Sequence, residues 1–131
     1  MSSSVPGLFD LLQQKMSYLN QKQGVLAENV ANADTPGYKQ LELKPFAAAL
    51  QQASIGMTVT DPRHIVPASM AGVNAKSFAS KGTEVSPTGN SVDIEDQMME
   101  VSKTAMDYQS ATSMYHKMIG LLKIAIKGSS T

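Results

Sequence analysis

The stretch SVDIEDQMMEVSKTAMDYQSATSMYHKMIGLLKIAIK, residues 91–127, contains no proline and a single glycine, Gly120. Along it Ile94, Met98, Val101, Ala105, Tyr108, Thr112, Tyr115, Ile119, Leu122 and Ile126 recur at spacings that alternate four and three, with Thr112 the one polar member. Such alternation averages about 3.5 residues, the period at which helices wrap left-handedly around a partner. Both ends of the predicted helix are signalled. Asn90 is positioned to cap it with Asp93 three residues on, and Glu95 and Asp96 bring negative charge to the first turns. Lys117, Lys123 and Lys127 load the far end ahead of Gly128, as the helix macrodipole favours.

The opposite end of the chain repeats the pattern. Residues 8–33 lack proline, and Val5, Phe9, Leu12, Met16, Leu19, Gln23, Leu26, Val30 and Ala33 alternate four and three with only Gln23 polar. Gln23 and Thr112 read either as tolerated polar positions or as devices that set helix register. At 1.5 Å per residue the two helices are predicted to be roughly 40 Å and 55 Å long. Between them, residues 34–90 hold five of the six prolines and five of the nine glycines. The expected architecture is mainly α: an N-terminal helix and turn over 1–38, an irregular middle with little β over 39–90, and a C-terminal helix over 91–131. The terminal helices then make one helical core, paired as a hairpin within one molecule or with other chains. Pro36 drives Thr35 out of helical geometry, and Pro36-Gly37 predicts a type II turn over Thr35 to Tyr38. Beyond it Lys39–Leu43 alternates as a short extended segment, Phe46–Ala53 forms a short helix after Pro45, and Met57–Thr60 suits a strand. Part of the span from Ser54 to Gly89 is expected to be mobile in the free chain.

Composition removes several function classes. The 131 residues allow one domain, and 11 Lys+Arg balance 11 Asp+Glu, so neither a nucleic-acid surface nor a polybasic membrane anchor is supported. There is no cysteine, which removes disulfides, thiolate metal sites and thiol nucleophiles together. His64, in a polar Asp61-Pro62-Arg63-His64 turn, and His116, beside Lys117, have no further ligands at metal-binding spacing. Asp93, Glu95, Asp96 and Glu100 are explained by the helix dipole, and no GxGxxG, P-loop or GxSxG motif occurs. No enzyme, cofactor or metal is therefore expected. The opening residues have no basic segment followed by an apolar run, and no window reaches 18 uninterrupted apolar residues. Neither a cleaved signal nor direct membrane insertion is expected, so the chain stays in the cytoplasm unless it leaves by a route that cleaves nothing. A peripheral amphipathic membrane helix is disfavoured by the sparse Lys/Arg near the N-terminus.

Hydrophobic residues make up 42% but aromatics only 5%, while methionine reaches nine. Met16 and Met98 lie on the seams, and Met99, Met106, Met114 and Met118 widen the apolar face of the last helix. That distribution reads as a contact surface that repacks against neighbours rather than as core filler.

The segment Ala27-Glu28-Asn29-Val30-Ala31-Asn32-Ala33-Asp34-Thr35-Pro36-Gly37-Tyr38-Lys39 resembles the N-terminal signature of the bacterial flagellar rod and hook proteins, in which a helix ends in an Asn-rich stretch before Thr-Pro-Gly-Tyr. A second segment, Gly89-Asn90-Ser91-Val92-Asp93 leading into Ile94, is similar to the start of the long terminal helix in proximal rod members of that family, and Asp61-Pro62-Arg63-His64-Ile65 suits them as well. The resemblance covers both termini and touches the middle only loosely. It implies a structural subunit of the proximal rod of the flagellar basal body, exported through the type III apparatus without signal cleavage. It further implies terminal helices that are poorly ordered in the free subunit and polymerise with those of neighbours into a drive shaft and export channel. The implied partners are the chain itself, other rod proteins, the MS ring and the adaptor protein at the rod base. The subunit-packing seam is expected on Phe9, Leu12, Met16, Leu19, Leu26, Val30, Ile94, Met98, Val101, Tyr108, Tyr115, Ile119, Leu122 and Ile126. The competing reading is a soluble helical adaptor or export chaperone that forms a closed bundle; it has no need of the Thr-Pro-Gly-Tyr turn.

Overall fold

In the computed structural model, which describes residues 5–55, 77–79 and 87–128, helix α1 spans Val5–Ala31 and helix α3 spans Ile94–Gly128. Between them lie strand β1 (Leu41–Leu43), helix α2 (Phe46–Ile55) and strand β2 (Ser77–Ala79). The chain is mainly helical, with the two long helices at its ends and little strand. β1 and β2 form an antiparallel two-stranded sheet with Leu41 opposite Ala79 and Leu43 opposite Ser77. The short extended segment and the short helix fall where alternation and Pro45 predict them, whereas nothing in the residue pattern anticipates β2. The strand expected at Met57–Thr60 and the Asp61–His64 turn lie outside the described residues.

α1 and α3 pair along their lengths as an intrachain hairpin. The crossing is fixed at its closed end by Asn29 against Gln97, in the middle by Gln23 Nε2 donating to the Val101 carbonyl at 3.3 Å, and near the open end by Phe9 edge-on to Tyr115 at 5.4 Å between ring centroids. α1 turns the column expected to pack subunits toward α3 of its own chain. Leu19 and Leu26 are buried, and Phe9, Leu12, Met16, Gln23 and Val30 are half-buried. α2 covers the side of α1 next to that seam. Tyr18 is buried against Phe46, its hydroxyl donates to the Lys44 carbonyl at 2.7 Å, and the Lys15 ammonium sits 4.7 Å from the centre of the Phe46 ring.

Of the α3 seam, Val101, Tyr108, Thr112, Tyr115 and Ile119 are half-buried, while Ile94, Met98, Ala105, Leu122 and Ile126 are exposed. The residues it buries against α1 are Gln97, Thr104 and Ala111, with Val101, Tyr108 and Tyr115 half-buried beside them. This set also alternates four and three, one column away from Ile94, Met98, Ala105, Thr112 and Ile119. Ile94 and Met98 remain half exposed, at 49% and 53%, and Leu122 and Ile126 are exposed as well. The small side chains of Thr104 and Ala111 let the two helix backbones approach, and Gln97 is drawn inward by Asn29. Ile94 and Met98, with Met99, Met106 and Met114 beyond them, are left exposed.

Two polar details of this interface bear on stability. Lys22 Nζ lies 2.9 Å from Glu100 Oε2, and that hydrogen bond, assisted by charge, holds the Glu100 carboxyl below its ordinary range against the opposing effect of burial. A carboxylate with a lowered folded-state pKa contributes fully above its unfolded value, and the contribution is lost as pH falls through the lowered one. Both side chains are about a third exposed or more, so solvent screening keeps the pair below about 1 kcal/mol. Thr104, only 1% exposed, has no hydrogen-bond partner for its Oγ1 among the described residues. Replacing that hydroxyl with a methyl removes an unsatisfied buried group at constant shape. Thr104→Val is expected to stabilise the hairpin by about 1 kcal/mol, a rise of several degrees in the thermal midpoint followed by circular dichroism.

Candidate functional site

The two motifs singled out in the sequence, residues 29–38 and 89–93, meet at the closed end of the hairpin and form one hydrogen-bonded clasp. At its centre is Asn29, on the last turns of α1 and fully buried. A carboxamide has two N–H donors and an oxygen with two lone pairs, and here every one of them is engaged. Asn29 Nδ2 donates to the Leu41 carbonyl at 2.8 Å and to Gln97 Oε1 at 2.9 Å. Its Oδ1 accepts from the Leu41 N–H at 2.9 Å and from the Tyr38 hydroxyl at 3.1 Å. The side chain thus pairs with both backbone groups of Leu41, much as a neighbouring strand would, while holding α3 through Gln97. Burial first, and the charge of Glu28 second, push the Tyr38 hydroxyl above its ordinary pKa, so it stays a donor.

α1 ends where its backbone is redirected. Asn32 N–H still reaches the Glu28 carbonyl at 3.1 Å, but Thr35 N–H returns to the Asn32 carbonyl at 3.0 Å, and the Thr35 hydroxyl donates to Asn32 Oδ1. The next turn closes with the Tyr38 N–H on the Thr35 carbonyl at 3.3 Å and Gly37 at φ +74°, the positive φ that a Pro-Gly type II turn needs at its third position. Ala31, Thr35, Pro36 and Gly37 are exposed, and Ala33 is half-buried.

The second motif grips this turn. Gly37 N–H donates to the Thr88 carbonyl at 3.0 Å, Ser91 N–H to the Tyr38 carbonyl at 3.1 Å, and Gln40 N–H to the Ser91 hydroxyl at 2.8 Å. The buried Asn90 side chain donates to the carbonyls of Asn32 at 2.9 Å and Thr35 at 2.7 Å, each of which also accepts a backbone N–H of the turn, and it accepts from the Val92 N–H. Asn90 is therefore not the cap of α3. The cap is Asp93, whose Oδ1 accepts from the N–H groups of Glu95 at 3.0 Å and Asp96 at 3.4 Å. The expected cap lies four residues ahead of the helix because its amide is committed to the end of α1. Gly89 has φ +81°, and a Cβ there would stand 3.3 Å from the Gly37 Cα.

Gln97, Gln40, Leu41 and Thr88 complete the clasp without having been singled out. Gln97 carries a signal in retrospect, since Gln97, Val101, Thr104, Tyr108, Ala111 and Tyr115 keep the same alternating spacing as the more apolar column beside them. Leu41 and Thr88 act through backbone groups, which leave no trace in side-chain type. The clasp holds fixed amides and hydroxyls and no nucleophile with a base. Among the described residues no cluster of three or more His, Asp or Glu is placed to hold a metal, and no helix is long and apolar enough to cross a membrane.

Three substitutions measure the clasp. Asn29→Asp replaces the two N–H donors of Nδ2 by one oxygen that faces the Leu41 carbonyl and Gln97 Oε1, and is expected to cost about 3 kcal/mol, seen as a lower urea midpoint at unchanged slope. Gly37→Ala is expected to cost about 1 kcal/mol for its positive φ. Gly89→Ala costs more, because it adds the backbone contact.

The profile for flagella basal body rod proteins matches residues 15–39, which run from the middle of α1 through the turn. Full-length similarity extends further. The chain is 31% identical to the flagellar basal body rod protein FlgB of Aeromonas hydrophila, covering 98% of each chain. It is 32% identical to FlgB of Bacillus subtilis over 93% of this chain and 95% of that one, and 27% identical to FlgB of Escherichia coli over 89% and 91%. Because the match runs through both halves of the clasp and the helices it joins, this chain belongs to the FlgB family of flagellar basal body rod proteins and is a structural component of that rod, not an enzyme.

Proposed function

We propose that the chain polymerises through its terminal helices as a subunit of the proximal rod, forming part of the axial drive shaft and of the channel through which export passes. The observation that carries this reading is the outward face of α3, where Met98, Met99, Met106 and Met114 are 53–70% exposed alongside Ile94, Leu121 and Ile124. A helix whose inward column is already occupied and whose outward column is apolar gains by burying the latter against other chains. Methionine suits such a face because its unbranched side chain adapts to neighbours that are not identical. In this reading the segments through Tyr38 and from Ser91 onward build the tube, and the middle rides outside it. The clasp sets the angle at which the chain leaves the tube. The subunit meets other rod proteins, the MS ring and the adaptor protein at the rod base, and arrives through the type III export apparatus without signal cleavage.

The test is recovery of the protein, with its N-terminal residues intact by mass spectrometry, in purified basal bodies. Its absence from them overturns the reading. Met106→Lys changes an exposed side chain and is expected to leave the thermal midpoint within about 1 °C while abolishing incorporation into basal bodies and motility. Gly37→Val, with its strained turn, is expected to impair incorporation more than solubility. Normal rods with Gly37→Val mean that the turn has no special part in assembly.

A further inference from the structure

We infer that Met98, Met99, Met106 and Met114 form an oxidation site on α3, where conversion to methionine sulfoxide withholds the subunit from assembly until the oxygen is removed. The inference rests on the rod-subunit reading and gives the face which that reading uses a means of regulation.

The four thioethers are 53–70% exposed, whereas Met16 and Met118 are half-buried. Met99 and Met106 are seven residues apart and Met114 follows eight later, so these three share one face of the helix, with Met98 beside them. The chain has no cysteine, so methionine is its only sulfur and no thiol of its own consumes an oxidant first. A hydroperoxide needs only to reach the sulfur. The lone pair of the thioether attacks one peroxide oxygen, and an S–O bond forms as the O–O bond breaks. Sulfur gives up two electrons, and with hydrogen peroxide the products are one sulfoxide and one water.

The surroundings suit the product. Two shallow hollows run along this face: Met98, Met99 and Met106 line the first with Ser102 and Lys103, and Met106 and Met114 line the second with Ser110, Ser113 and Lys117. A sulfoxide oxygen is an acceptor, and those hydroxyls and ammonium groups are donors, so the oxidised side chains are satisfied on the free subunit. The fold does not depend on them, because α3 buries Gln97, Thr104 and Ala111 instead. Burial against another chain is a different matter. A strongly polar S–O group carried into an apolar contact loses its water without a matching gain. The free subunit is thus the form that is oxidised, and the assembled one, with this face covered, is the form protected. An exposed sulfoxide is also within reach of methionine sulfoxide reductases, in which a dithiol supplies two electrons, becomes a disulfide, and the oxygen leaves as water.

Dilute hydrogen peroxide applied to the purified full-length protein, followed by peptide mass mapping, tests the site. Oxygen is expected on Met98, Met99, Met106 and Met114 about fivefold faster than on Met16 and Met118, with the thermal midpoint held within about 2 °C and the oxygen removed by the two epimer-specific reductases. The consequence is tested in growing cells. Among subunits isotope-labelled during a peroxide pulse, sulfoxide at the four positions is expected to be about tenfold rarer in purified basal bodies than in the free pool. Equal oxidation of all six methionines, loss of the fold on oxidation, or equal sulfoxide in the two pools overturns the inference. If the pools are equal while the protein is found in basal bodies, the switch is wrong and the rod reading stands. If the protein is absent from basal bodies, the rod reading fails, and the switch fails with it even where oxidation is selective.

Discussion

The fold hangs on one buried carboxamide. Asn29 closes four hydrogen bonds at once, two to the backbone of Leu41, one to Tyr38 and one to Gln97, and so joins α1 to the turn that follows it and to the helix at the far end of the chain. Only a side chain with two donors and two acceptor positions of this shape does so without leaving a buried polar group unmatched. Satisfied networks of this kind contribute more to uniqueness of geometry than to net stability, because most of their strength is spent in matching hydration in the unfolded chain. The apolar core confirms the division of labour: Tyr18, Leu19, Leu26, Ala49 and Ala111 are the buried hydrophobic residues among those described, a small set for helices of this length. Geometry is held by the clasp, and much apolar surface is left for other chains.

The orientation of α3 follows from that constraint. Once Gln97 is committed to Asn29, the helix must present Thr104 and Ala111 to α1, since these follow it on one face at intervals of seven residues. The flank that carries Ile94 and Met98 is thereby left exposed. The hairpin holds its shape through polar contacts and small residues and leaves an apolar exterior.

Most of the secondary structure was legible in the residues. Absence of proline and alternating spacing identified α1 and α3, Pro36-Gly37 identified the turn, and Pro45 marked the start of α2. The site was half legible: residues 29–38 and 89–93 stood out by their resemblance to rod proteins, yet nothing in them said that they touch. The residue pattern points to Asn90 as the cap of α3 and the structure gives Asp93, because both side chains suit capping and the choice between them depends on where α1 ends in space. Gln97 was overlooked because a polar residue inside an apolar repeat reads as solvent-facing until a buried partner is known.

The residue order alone settles the periods, the breaks and the charges, because these follow from local sterics and from how side chains repeat around a helix. It therefore settles that two long apolar-striped helices flank a proline-rich middle, and that no strong charge or thiol chemistry accompanies them. Which of two adjacent columns of α3 turns inward is decided only in three dimensions. Both columns keep the same alternation, and the choice is made by a hydrogen bond between Asn29 and Gln97, residues 68 positions apart.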